Sequence, residues 1–332
     1  MATLKDVAQE AGLSVTTVSR ILNNRGYISS EARQKVSDAM QRLNYQPNEV
    51  ARSLSLRRSN MVALIVPHIR HPYFAALVSE LEEAIRRRGY QILLFNTKQS
   101  DDMLEKYLDI CQQNRVSGVI LCSADVSEKT LKRLNAPIIT VERYSEKAAS
   151  SIVCDNYKGG QLAAERLIEG GCRNLVCISG SSGRKMPGDL RRIAFQDVCK
   201  KYKVRNRQVI LPESAMQAIN YTQCLESLFS GYRKDHPESF YDGMFASGDA
   251  IAAEAVRLAQ KHGIDVPKDL QIIGFDDTQI ADMTYPGITT IHQPIREMAQ
   301  KAAEMLAEAI NGRSTTNTVM LPVYLVERES TR

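Results

Sequence analysis

Ala11-Gly12-Leu13-Ser14-Val15-Thr16-Thr17-Val18-Ser19-Arg20-Ile21-Leu22-Asn23 is where two helical patterns meet across a glycine. Gly12 breaks the first pattern, Leu13 gives the turn an apolar anchor, and Ser14 is of the type that caps a helix start. Beyond it Val18, Ile21 and Leu22 recur at helical spacing and face inward, which leaves Val15, Thr16, Ser19, Arg20 and Asn23 outside. Upstream, Thr3 and Asp6 form a capping-box-like pair ahead of the stripe Leu4, Val7, Ala8 and Ala11. Downstream, a third helix is expected from about Ser30, with Ala32, Val36, Ala39, Met40 and Leu43 as its stripe. Two short helices, a tight glycine-containing turn and a supporting third helix make a helix-turn-helix. The spacing alone also fits a small three-helix packing module with a polar outer face.

The outward side chains suit a major groove. Short Val15 and Thr16 can approach a thymine methyl or a base edge, and Arg20 can grip the guanine acceptors with two donors. Thr17 and Ser19 suit phosphate oxygens, as do the free N–H groups of a helix start. Thr3 and Ser14 complete the candidate DNA-facing set of this region. Charge agrees: residues 1–60 carry nine Lys/Arg against five Asp/Glu, whereas the rest carries 34 against 33. Phosphate neutralisation needs such a concentration, although a charge run is more often a solvated face.

A chain of 332 residues exceeds one ordinary core, so two or three packing units are expected. No apolar run reaches the roughly 18 residues of a membrane span. The opening Met1-Ala2-Thr3-Leu4-Lys5-Asp6 has an early acid and no apolar core, unlike a secretory signal. The seven cysteines form neither a C-x-x-C pair nor a metal-ligand spacing, so they read as reduced core residues of a cytoplasmic protein. Neither a metal nor a cofactor is expected.

Thr3-Leu4-Lys5-Asp6-Val7-Ala8, Ala11-Gly12-Leu13-Ser14, Thr17-Val18-Ser19-Arg20 and Leu22-Asn23 resemble the N-terminal signature of the lactose/galactose repressor family. Tyr45-Gln46-Pro47-Asn48-Glu49-Val50-Ala51-Arg52-Ser53-Leu54 is similar to that family's hinge segment. Pro47 stops the third helix and Asn48 can cap a helix of about two turns, too short to be stable alone. The resemblance implies that it folds on DNA beside the same helix of a second subunit. Leu54 would wedge into the minor groove at the centre of a palindrome, with Arg52 and Tyr45 contacting the backbone around it. An ordinary linker leucine is the other reading of Leu54.

From residue 60 onward, short apolar runs alternate with amphipathic stretches. Met61 to Pro67, Gln91 to Asn96, Gly118 to Cys122, Pro137 to Val141, Asn174 to Ser179, Gly243 to Ala246 and Leu270 to Phe275 read as strands. Helical patterns fall at about 73–88, 102–114, 127–134, 157–170, 189–203, 217–230 and 249–263. This alternation means an α/β core of two doubly wound parallel-sheet subdomains, with ligand at the strand C-termini between them. The resemblance implies a periplasmic-binding-protein-like core of type I, crossed three times by the chain, near 158, 289 and 319. The expected division is a DNA-binding domain over 1–47, a hinge helix and linker over 48–58, and a sensor core over 59–332. Within the core, one subdomain takes about 59–158 and 289–319, the other about 159–288 and 320–332.

Cleft candidates sit at strand ends. His68-Ile69-Arg70-His71-Pro72-Tyr73-Phe74 is similar to the family's effector-facing loop, where aromatic faces stack on a sugar or a purine. Tyr73 and Phe74 could instead anchor a helix start into the core. His68 and His71 lack the neighbours of a metal site, and His71 stands where many relatives carry a polar amide. Glu142 occupies a position usually held by Asp, one methylene shorter. Arg191, or Arg192 through a one-position slip, resembles the arginine that anchors effector hydroxyls or a carbonyl. Asp276, in Gly274-Phe275-Asp276-Asp277, can accept from vicinal hydroxyls or cap the next helix, and Asp249 can do either as well. Glu213-Ser214-Ala215-Met216-Gln217-Ala218 has no aromatic where purine-sensing relatives place one, which favours a sugar or sugar phosphate over a nucleobase.

No G-x-S-x-G elbow, H-E-x-x-H or P-loop is present, so catalysis is not expected, and Gly180-Ser181-Ser182-Gly183 reads as a polar ligand loop. A periplasmic transport-binding protein would share the core but has no use for residues 1–57. The implied mechanism is allosteric: a homodimer on a palindromic operator, its hinge helices separated or joined by effector. The sign stays open, since sugar-sensing relatives mostly release DNA on binding ligand and purine-sensing relatives tighten.

Overall fold

Apolar residues at helical spacing near the N-terminus pack on one another in the computed structural model. It describes residues 2–22, 28–46, 59–98, 101–123, 134–143, 150–180, 186–232, 240–313 and 317–332. The chain divides into two units, Met1–Ser59 and Asn60–Arg332. Asn23, Arg52 and Leu54, and with them the expected hinge helix, lie outside the described residues, as does most of the helix expected at 127–134.

The first unit has α1 (Leu4–Glu10), α2 (Val15–Leu22) and α3 (Ser30–Arg42). Thr3 and Asp6 close a reciprocal capping box on α1, and Gly12 takes φ +65° in the turn, a conformation that costs glycine little. The Ser14 hydroxyl accepts from Thr17 N at 3.1 Å and so caps α2. Ser29, one residue before the expected start, caps α3 through Ala32 N at 3.2 Å. Val7, Ala8, Ala11, Val18, Ile21, Val36 and Ala39 are buried together as a small core.

The second unit holds two six-stranded sheets. The first runs β11-β5-β4-β3-β1-β2, from β1 (Met61–Val66), β2 (Gln91–Asn96), β3 (Gly118–Leu121), β4 (Ile138–Val141), β5 (Ser150–Cys154) and β11 (Thr318–Leu321). The second runs β12-β10-β9-β8-β6-β7, from β6 (Asn174–Gly180), β7 (Arg205–Leu211), β8 (Gly243–Ala246), β9 (Gln271–Asp276), β10 (Thr289–His292) and β12 (Tyr324–Val326). All pairings are parallel except β10 with β12. Strand order reverses between β1 and β3 and again between β6 and β8, the two places where an α/β sheet opens a crevice at its strand C-termini.

Three passages join the lobes, and their positions correct the expected ones. The chain leaves the first sheet after Cys154, the second after His292 and the first again after Leu321. Thr289–His292 pairs with Ile273–Asp276, so it belongs to the second lobe and the crossover follows it. Val319 pairs with Ile152, which holds the chain in the first lobe two residues beyond the expected third crossing. The helix expected at 217–230 is two, α8 (Glu213–Ala218) and α9 (Thr222–Ser230), because Ile219 turns left-handed at φ +51°. The other helices are α4 (Pro72–Arg86), α5 (Asp101–Gln113), α6 (Asn156–Glu169), α7 (Asp189–Tyr202), α10 (Asp249–Lys261), α11 (Gln279–Met283) and α12 (Ile295–Ile310).

One packing contact sets the site. Gly160 on α6 lies directly against the Arg191 backbone of α7, where a Cβ would run into the Arg191 carbonyl. The missing side chain lets α7 start close to the first crossover. All seven cysteines are unpaired thiols, and burial pushes those of Cys111, Cys122, Cys172, Cys177 and Cys199 up to about 12, which leaves them inert. No described helix is long and apolar enough to cross a membrane.

Candidate functional site

On α2, Val15, Thr16 and Arg20 are exposed, while Val18 and Ile21 are buried. Val15 is left 40% exposed, a poor packing surface but a suitable one for a base edge. Ser14 and Thr17 are linked hydroxyl to hydroxyl at 2.8 Å at the helix start, and Ser19 is half-buried. Thr3 is exposed but its side chain is engaged in the capping box. Tyr45 is half-buried against the three-helix core.

In the second unit, Arg191 is the hub. Its Nε donates to Asn156 Oδ1 at 2.6 Å, Nη1 to Ser247 O at 2.7 Å, and Nη2 to Gln293 Oε1 at 3.3 Å. Glu142 from the first lobe lies 3.9 Å away and Asp276 from the second 3.7 Å. The guanidinium rests 3.4 Å over the Phe275 ring. Arg192 turns instead to Gln208 at 2.9 Å, outside this cluster.

The two carboxylates come from strained turns. Glu142 has φ +53° and Asp276 φ +108°, where residues with a Cβ rarely sit. Glu142 accepts from Cys154 N at 2.6 Å and from Asn156 Nδ2 at 3.0 Å, so its extra methylene reaches the first crossover. Burial pushes the Asp276 carboxyl well up, and Asp249 and Glu142 add to this; together they outweigh Arg191, which acts the other way. Next to it, Asp277 (φ +56°) is clamped from outside by His292 Nδ1 at 2.8 Å and Arg328 at 2.7 Å. Its carboxyl is held below the ordinary value, first by the His292 bond.

Two expectations need correction. Asp249 accepts from Thr278 N (2.7 Å), Thr278 Oγ1 (3.0 Å) and Thr290 Oγ1 (2.6 Å), so its oxygens tie strand ends together rather than face a ligand. Tyr221, at the start of α9, is 4% exposed with an unpartnered hydroxyl, and Asp276 acts on its phenol. The wall expected to lack an aromatic therefore has one, three residues past Ala218 and beyond the break at Ile219.

Tyr73 is buried in the core at the start of α4, and its hydroxyl accepts from Gln293 Nε2 at 3.0 Å. Phe74 stays half-buried, edge-on to Tyr73 at 5.0 Å and to His71 at 5.8 Å. Asn156 and Gln293 are central, yet the residue patterns did not single them out. Their signal is position: each directly begins or ends a crossover. No cluster able to hold a metal exists among the described residues.

Residues 3–48 match the model of bacterial regulatory proteins of the lacI family, and residues 164–331 match a periplasmic binding protein-like domain. The ribose operon repressor of Halalkalibacterium halodurans is 36% identical over all of this chain and 98% of its own. The chain belongs to the LacI family. It is a DNA-binding transcriptional repressor of that family, and not an enzyme. Another LacI-family relative, the sucrose operon repressor of Streptococcus mutans, is 32% identical over 99% of each chain. Among solved structures, a periplasmic binding protein/LacI transcriptional regulator from Alkaliphilus metalliredigens, complexed with D-xylulofuranose, is 30% identical with TM-score 0.72. It covers 82% of this chain and is itself fully covered. The fold is also that of a lac repressor dimer bound to operator (TM-score 0.83, 23% identity, 99% and 98% covered).

Proposed function

We propose that this LacI-family repressor binds a palindromic operator as a homodimer, in the cytoplasm, and that a sugar or sugar phosphate in the sensor cleft sets its DNA affinity. The outer face of α2 reads bases through Val15, Thr16 and Arg20, with Thr17 and Ser19 on phosphates. Residues 48–58, with Arg52 and Leu54, form the hinge that meets its copy over the centre of the site. The carrying observation is the Arg191 hub, which gathers carboxylates of both lobes and two crossover residues at one point. Vicinal hydroxyls can donate to Glu142 and Asp276 while accepting from Arg191, so a polyol engaging both lobes changes their separation. Phe74 offers a face for the sugar C–H surface.

A nucleobase corepressor is the second reading, and Tyr221 is the observation in its favour. Yet the site's polar groups outnumber its aromatic faces, which suits hydroxyls better than a flat ring. Melting the protein with ribose, fructose, sucrose, adenine and hypoxanthine distinguishes the two, because a ligand bound only to the native fold raises the melting temperature. Stabilisation by a base and by no sugar would reverse the assignment.

A further inference from the structure

β1 and β2 end side by side, with Val66 opposite Asn96 and Thr97 N donating to Val66 O at 3.0 Å. The segment His68-Ile69-Arg70-His71 therefore leaves the sheet beside Lys98, itself left-handed at φ +50°. α4 begins here, and its N-cap residue His71 makes no side-chain cap. Behind this helix start lie two orphans: His68 Nε2 and His71 Nδ1 are buried with no hydrogen-bond partner, and His68 is only 8% exposed. An unpaired buried polar atom is costly and marks a place where a partner is missing.

The corner is also one-sided in charge. Besides burial, the groups acting on His68 are two cations, Arg70 and Lys98. No described carboxylate pairs with either. His71 is held down to about 4 by burial first, then by His68 and Arg191. The cleft's acids, Glu142 and Asp276, share Arg191. Arg70 meanwhile reaches the opposite lobe, donating to Ala218 O at 3.3 Å.

We propose that this corner, His68, Arg70, His71 and Lys98 at the uncapped start of α4, is a phosphate-monoester subsite, so that the effector is a phosphorylated sugar rather than a neutral one. Phosphate oxygens supply what the corner lacks: acceptors for both imidazoles, for the free N–H groups of the helix start and for two cations. The sugar hydroxyls then fall to the Arg191 end. The inference rests on the sugar-effector reading above and narrows it.

The test compares the full-length protein with the Arg70→Ala/Lys98→Ala double variant, both of whose replaced side chains are exposed, and with His68→Asn. Melting curves are taken in inorganic phosphate against chloride at matched ionic strength, then with ribose, fructose, sucrose and the phosphate monoester of each. Adenosine monophosphate is included to separate a sugar phosphate from a nucleotide. The expected result is that phosphate stabilises the wild type but neither variant. One sugar phosphate should bind about tenfold or more tightly than its parent, and most of that gap should vanish in the double variant. Equal stabilisation of wild type and variants by phosphate would mean an adventitious ion only, held elsewhere, and would overturn the subsite. So would a neutral sugar binding as tightly as its phosphate, although that result leaves the regulator reading intact. Tightest binding by the nucleotide would refute the sugar and keep the anion. If no compound of the panel bound or shifted DNA affinity, both would fall.

Discussion

The DNA-reading unit and the sensor cleft solve opposite problems. On α2 the candidate base-facing residues Val15, Thr16 and Arg20 lie close together in sequence and stand exposed on a small core. In the cleft the candidate residues come from β4, α6, α7, β9 and the second crossover, and their charges are buried. An exposed reader can be changed at little cost in stability, whereas each cleft group supports its neighbours. Binding and folding are thus separable in one unit and coupled in the other.

Arg191→Ala should break that contrast hardest. Removing the guanidinium leaves Glu142 and Asp276 facing each other without a counter-charge, and loss of one partner from a buried ion pair costs about 3–5 kcal/mol. Urea unfolding of the variant should show that loss, and calorimetry a loss of effector binding. Lysine in its place should restore little, because it lacks the planar fork.

Asp249 gives the next effect, in pH dependence. Burial pushes its carboxyl up to about 6, against an ordinary 3.8, despite three hydrogen bonds that pull it down. The folded chain therefore holds this proton more tightly than the unfolded one. The resulting stabilisation is present in full below the unfolded value and is lost as pH rises through about 6, up to roughly 3 kcal/mol. Asp276 is displaced in the same direction. Melting temperatures between these two values should fall with rising pH from these groups, and Asp249→Asn should flatten the slope. An unchanged slope would remove Asp249 from the account.

Arg20→Ala should leave both melting and effector affinity near wild type while relaxing discrimination at one base pair by about 1–3 kcal/mol, read from competition against single-base variants of a selected duplex. Uniform weakening on every duplex would make Arg20 a phosphate contact instead. Thr3→Ala should be the smallest change, about 1 kcal/mol of stability through the lost cap on α1. A loss of DNA affinity with no loss of stability would show Thr3 acting on DNA rather than on its helix.

What could be read from sequence follows the same divide. The helix-turn-helix was legible because caps, turn glycine and stripe are local signals, and the apolar strands because a run such as Met61–Val66 has few other uses. β5 was hidden by its serines, of which Ser151 bonds Thr140 at 2.7 Å inside the sheet. β7 was hidden by edge-strand charges such as Arg205 and Arg207. The stripe Met298, Ala299, Ala302, Ala303 and Leu306 of α12 did carry the helical period, a signal the strand-and-helix rhythm left unused. Resemblance singled out Arg191, Glu142 and Asp276, but not the bonds that tie Arg191 to Asn156, Ser247 and Gln293, because nothing in local spacing joins those positions. Nor did the resemblance indicate that the longer Glu142 side chain also accepts from Cys154 N and Asn156 at the first crossover.

The most direct test of the link between cleft and reader is a fluorescence-anisotropy titration on a duplex selected by the full-length protein. It is run with and without a saturating amount of whichever sugar or sugar phosphate most raises the melting temperature. The account predicts a shift in DNA affinity of about 5- to 150-fold, with DNA shifting ligand affinity by the same factor. No preference for the selected duplex over a scrambled one, or an affinity indifferent to bound ligand, would contradict it.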